Sequence, residues 1–215
     1  MIFKDETRQR IVTGTILASF LIPLYLFAQA YLISLFFLVV LIFILLFEWP
    51  LFKIWWLTPL YPIISFIFLI LLNQSTTRIL LPLLFITVFS NDMGAYVAGK
   101  LWGKHKIAPY ISPGKTWEGF IGGCVATIMS LFIFLYFQHA YAHVLIIVFA
   151  GVVLSTAGTI GDFFESYLKR RARLKDSGTT LPGHGGWLDR FDGILAAVMI
   201  IYPLRHTIMY LLDLT

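Results

Sequence analysis

One cysteine, Cys124, is all that 215 residues contain, so no internal disulfide can form and the redox compartment stays open. Charge is scarce as well: Asp, Glu, Lys and Arg together make up 13% of the chain. No sequence repeat, low-complexity tract or flexible linker is present. These absences exclude a string of soluble domains. What fills the chain instead is apolar. It is 59% hydrophobic and 17% aromatic, with a mean hydropathy of +0.86. The expected fold class is all-α, a polytopic membrane helical bundle. The net charge of +5 bears first on orientation and only then on partners.

Seven apolar runs are expected to span the membrane: residues 11–28, 31–47, 58–72, 79–98, 118–137, 143–164 and 191–212. Ala28-Gln29-Ala30 resembles a signal-peptidase site, but the run before it is long and another span follows at once. Residues 48–57 read as a short turn whose three tryptophans suit a membrane interface. With seven spans, 14 of the 16 Lys and Arg fall on the N-terminal side, leaving only Arg78 and Arg205 toward the other. The positive-inside rule then places the N-terminus and the charged loops in the cytoplasm.

The spans differ in kind. The first three are mostly Leu, Ile, Phe and Tyr. The later ones carry small residues at spacings of three and four, such as Gly94, Ala95, Ala98 and Gly119, Gly122, Gly123. One face made of such residues allows close helix packing. We therefore divide the chain near Arg78. Residues 1–78 form a hydrophobic three-helix unit. Residues 79–215 form the working domain, with cytoplasmic loops at 99–117 and 166–190.

Charge is concentrated between Asp162 and Asp192. This stretch holds five of the eleven acidic residues and six of the sixteen basic ones. Asp162, Glu165, Ser166, Lys169 and Arg173 can share one helix face; solvated pairs at a helix end are the ordinary reading. Asp162 resists that reading, because a carboxylate at membrane depth is costly without a cation. Asp189 and Asp192, three apart, also share a face. A helix start enriched in Asp explains them singly. With Asp162 nearby, a hard cation held by oxygen ligands explains all three. Between them, Lys175-Asp-Ser-Gly and Leu181-Pro-Gly-His-Gly-Gly preclude a continuous helix. Glycines such as Gly185 and Gly186 let backbone N–H groups approach an anion, and His184 among them is no packed core histidine. Upstream, Ser112-Pro-Gly-Lys115-Thr-Trp-Glu resembles a phosphate-binding turn without being a P-loop; Ser112 or Thr116 could equally cap the next helix. Asp92 lies inside an apolar run and is a candidate by that fact.

The pattern Ser166-Tyr-Leu-Lys-Arg, four residues, Lys175-Asp-Ser-Gly, two residues, Leu181-Pro-Gly-His-Gly-Gly, two residues, Asp189-Arg-Phe-Asp192 covers 27 positions. It resembles the signature of the phosphatidate cytidylyltransferases, or CDP-diacylglycerol synthases. Ser90-Asn-Asp-Met-Gly-Ala-Tyr and the Ser112 turn resemble upstream motifs of that family. Trp187 departs from it, and residues 1–78 look short for it. The resemblance implies transfer of the cytidylyl group of CTP to phosphatidic acid, giving CDP-diacylglycerol and pyrophosphate. It implies Mg²⁺, with room for a second metal ion, held by Asp162, Asp189 and Asp192. It implies Lys115, Lys169, Arg170, Lys175 and Arg190 as cations for phosphates. Asp176 and His184 join the catalytic set, and Asp92, Ser112, Ser166, Gly185 and Gly186 the substrate-binding set. CTP, phosphatidic acid and membrane lipid are the expected partners, with a homodimer allowed for and no nucleic acid. The expected place is a bacterial inner membrane, with the site facing the cytoplasm. The alternatives are a CTP-dependent polyprenol or dolichol kinase and, from another class, an ion transporter using buried carboxylates.

Overall fold

A computed structural model describes residues 19, 23, 25–27, 29–74, 76–181 and 185–214. Five helical segments among them are long and apolar enough to cross a membrane: Ala30–Phe52, Trp55–Leu72, Leu80–Trp102, Trp117–Phe137 and Val144–Arg171. A sixth is bent by 82° between Leu188–Ile201 and Arg205–Leu211. The chain is thus an integral membrane protein. Most of the first expected run, residues 11–28, lies outside the described residues.

Helix α1 is Ala30–Phe43. It loosens into a π-turn over Ile44–Glu48, then tightens to 3₁₀ over Trp49–Phe52. Pro50 explains the change, since its ring clashes with the carbonyl four residues back and it offers no N–H. Further short turns around Pro59 and Pro62 lead into α2, Ile64–Leu72. Helix α3 is Leu80–Trp102, α4 is Trp117–Phe137 and α5 is Val144–Arg171. Helices α6, Leu188–Ile201, and α7, Arg205–Leu211, end the chain. They were expected as one straight span. Pro203 between them lacks the N–H that would continue the ladder, so the helix breaks there. The loop expected at residues 99–117 is partly helix and partly hairpin. Lys106–Ala108 (β1) pairs antiparallel with Ser112–Thr116 (β2).

Backbone contacts sort the chain into two compact units. One joins the described residues up to Gln74 with Leu168–Phe191. The other joins Ser75–Tyr167 with Asp192–Thr215. Residues 168–191 of the charged stretch group with the first apolar helices, while Asp162, Glu165, Ser166 and Asp192 group with the later spans.

In the first unit, Asn73 Nδ2 donates to Ala30 O at 2.7 Å and to Ser34 Oγ at 3.1 Å, tying the end of α2 to the start of α1. Phe37 and Phe66 both meet the ring of Phe191, at centroid distances of 6.3 and 5.3 Å. In the second unit the small-residue faces do what their spacing suggests. A Cβ added to Gly94 would stand 2.5 Å from Ala126 Cβ and from Gly122 O. Lipid is as apolar as leucine, so burial alone does not join these helices. Close backbone approach and van der Waals contact do. Helices α5 and α6 meet the same way, with Gly161 against Ala196 and the backbone of Asp192.

Candidate active site

Among the described residues, charged side chains gather in each of the two units. In the second unit, a cavity of about 290 Å³ is lined among others by Asp92, Tyr96, Ser112, Lys115, Thr159 and Asp162. The hairpin delivers Lys115 there. Trp117 N donates to His105 O at 2.9 Å, and Glu118 accepts from the backbone N–H groups of Lys104 and His105, closing the hairpin's base. Thr116 caps α4, its Oγ1 accepting from Gly119 N at 3.1 Å. Lys115 Nζ donates to Asp162 Oδ2 and lies 5.9 Å from the centre of the Phe163 ring. Burial alone would lower its pKa, yet the charge of Asp162, with Asp92 and Asp192 beyond, raises it above the ordinary 10.5.

Asp162 Oδ1 lies beside Gly193, where a Cβ would stand 3.4 Å from it. Asp192 interacts with both Asp162 and Glu165. Lys115 thus faces several carboxylates of like charge. This donor set, all oxygen and in excess over its cation, suits a hard divalent ion. As the side chains stand, no group of three His, Cys, Asp or Glu among the described residues converges at ligand distance. Lys115 fills the place beside Asp162.

Neighbouring Asn91 turns elsewhere. It is buried, and its Oδ1 accepts from Ser155 Oγ at 2.6 Å; Ser155 in turn meets Cys124 Sγ at 3.2 Å. Asp92 and Asn91 therefore divide the work, one toward the cavity and one toward the packed helices.

In the first unit, Asp189 is the hub. Its Oδ1 accepts from Lys169 Nζ at 2.6 Å. Its Oδ2 accepts from Ser177 N and Gly186 N, both at 2.8 Å, and from Ser177 Oγ at 2.9 Å. Gly185 has φ +78°, and a Cβ there would stand 2.5 Å from Asp189 Oδ2. Glycine is required at that turn on both counts.

A second carboxylate belongs to this cluster, and the sequence reading missed it. Glu48, only 1% exposed, accepts from Trp187 N and Leu188 N at 2.8 Å each. Ser177 Oγ and Thr180 Oγ1 also point at it, at 3.2 Å. The one hydroxyl hydrogen of Ser177 serves a single acceptor at a time, and Asp189 is the nearer. A lone glutamate closing a long apolar run was the available signal; the tryptophans beside it drew the reading to a membrane interface instead. Glu165, wholly buried, was likewise seen only as one residue of a helix face.

The remaining candidates spread out. Arg170, Lys175, Asp176 and Arg190 are exposed, and Arg170 Nη1 donates to Leu174 O at 3.0 Å. Ser166 is half-buried on α5. His184 lies outside the described residues.

Comparison with known proteins adds an independent line. The profile of the Cytidylyltransferase family matches residues 7–208. The phosphatidate cytidylyltransferase of Staphylococcus haemolyticus is 42% identical over 125 residues, 58% of this chain and 46% of the relative. That of Staphylococcus aureus (strain COL) is 45% identical over the same lengths. The matched stretch thus spans less than half the length of these relatives.

Proposed function

This chain belongs to the cytidylyltransferase family, and from that premise we propose that it transfers the cytidylyl group of CTP to phosphatidic acid. The products are CDP-diacylglycerol and pyrophosphate. An oxygen of the lipid phosphate attacks the α-phosphorus of CTP, and the bond to the bridging oxygen of the β-phosphate breaks. No covalent enzyme intermediate is needed.

One observation carries the reading: Lys115 is held against Asp162 in the wall of a polar cavity, with Glu165 and Asp192 behind it. Both reactants are anions, so the site must supply cations and fix the phosphates in line. Lys115 has three donors and can keep Asp162 while binding a phosphate oxygen. Ser112 and Asp92 share the cavity and orient the nucleotide. Asp162 and Asp192, with Asp189 as the third candidate, are the carboxylates that would hold Mg²⁺, and a second metal ion if one takes part. When bound, the ion would offset phosphate charge and favour departure of pyrophosphate. Lys169, Arg170, Lys175 and Arg190 add positive charge along the signature stretch, Gly185 and Gly186 shape its turn, and His184 is its candidate catalytic histidine. Ser166 and Asp176 complete the set. The reaction serves phospholipid synthesis at the cytoplasmic face of a bacterial inner membrane.

The test uses purified protein, CTP, phosphatidic acid and Mg²⁺. We expect equal amounts of pyrophosphate and CDP-diacylglycerol, and neither without a divalent cation. CDP with a doubly phosphorylated lipid would overturn the proposal in favour of a CTP-dependent lipid kinase.

A further inference from the structure

The geometry points to Glu48 as the positioning residue of the signature stretch, a role that rests on the proposed function for its effect on turnover but not for its effect on structure. Glu48 sits at the end of the π-turn, far in sequence from the motif it serves. Leu188 opens α6 and Trp187 directly precedes it, and N–H groups at the start of a helix have no partner within it. Glu48 accepts both, so it caps α6 from another helix. The same carboxylate accepts from Thr180 Oγ1 on the far side of the turn at 3.2 Å, and Ser177 Oγ stands at the same distance as an alternative donor that otherwise serves Asp189. Gly186 lies between these contacts, and a Cβ there would stand 2.7 Å from Glu48 Oε1. The turn is therefore clasped at both ends by one buried anion.

The clasp has a consequence for Asp189. Its partners Ser177 and Gly186 belong to the segment Glu48 holds. Two carboxylates, Glu48 and Asp189, thus share one set of donors around Ser177. Remove the charge at position 48 and the turn loses two charge-assisted bonds to the start of α6. Asp189 and Lys169 then keep each other but lose the frame that fixes their direction. Aromatic contacts support the same docking without replacing it: Phe36 meets Trp187 at a centroid distance of 6.0 Å.

The experiment replaces Glu48 with Gln in the full-length protein. Gln keeps the shape and one acceptor oxygen but turns an N–H₂ group toward a backbone donor. Amide exchange at Trp187 and Leu188 should quicken roughly 10-fold or more, the scale of a lost hydrogen bond to a charged group. Exchange along α3 and α4 should stay as in the unchanged protein. In the assay above, kcat should fall by about the same factor. Native exchange at 187 and 188 overturns the inference. So does a uniform acceleration through both units, which marks general destabilisation, and so does quickened exchange at the turn with full kcat. If the unchanged protein makes no CDP-diacylglycerol, the reaction proposal fails, while local exchange still decides the clasp. Should Glu48→Gln not insert, Thr180→Val removes one donor and no charge, and the same local quickening is read at smaller amplitude.

Discussion

Asp189 and Asp162 each hold a lysine, but the two pairs answer differently to change. Lys169 and Asp189 have side chains only 11% and 5% exposed. In Asp189→Asn the amide oxygen would take the Ser177 and Gly186 donors, leaving the N–H₂ group against the Lys169 ammonium. A buried charge without its partner costs about 3 kcal/mol or more. We expect a marked fall in Tm for Asp189→Asn, and partial recovery in the double variant with Lys169→Met. Turnover in the recovered double variant separates the roles. A loss of roughly 100-fold beyond that of Lys169→Met alone fits a ligand to catalytic metal, and turnover within a few-fold of Lys169→Met excludes it. Lys115 makes a prediction about pH. Its pKa is raised in the folded protein, so its pairing stabilises below the ordinary 10.5 and is lost only as pH rises through the folded value. Stability and CTP binding should therefore not decline from this group between neutral pH and about pH 10. A titration of KM for CTP that breaks near pH 8 in the unchanged protein but not in Lys115→Arg would contradict this.

At the scale of elements, the small-residue faces of α3 and α4 set how close the hairpin's two flanks can come. Gly94 stands against Ala126, and Gly122 against Ala98. A valine at position 94 has no free volume, and overpacking of this kind costs about 1–3 kcal/mol. Gly94→Val should insert normally but unfold at lower temperature, read from thermal unfolding in detergent. Because the hairpin hangs between these helices, the same change should weaken CTP binding without touching any charged group. Unaltered Tm would show that the helices part easily and that their contact does not set the hairpin.

At the scale of the whole molecule, orientation is a matter of charge. The hairpin region with Lys104, Lys106 and Lys115 and the signature stretch carry more than half of the cations, and the positive-inside rule predicts that both face the cytoplasm. Single cysteines in a Cys124→Ala background test this with an impermeant thiol reagent on intact cells. Lys104 and Thr179 are exposed and should be protected from outside, whereas Gln74, also exposed, should react. Reaction at 179 from outside would reverse the orientation. Ser177 is fully buried, so its silence would say nothing.

The membrane class, most span positions and the family signature were legible in the sequence, because long apolar runs and a fixed local spacing are properties of the chain itself. Thr116 as a cap and the small-residue faces were legible for the same reason: each acts within three or four residues. Three things were not. The break at Pro203 needed the competition between an apolar run and a missing donor to be resolved in space. The cluster of Lys115 with Asp162 joins residues 47 apart in the chain. Glu48 reaches Leu188 across 140 positions. A hydrogen bond takes its energy from distance in space, and no local pattern records which distant donor a buried carboxylate will meet. Only the packing of α1 and α2 against the signature stretch decided that this glutamate holds the turn.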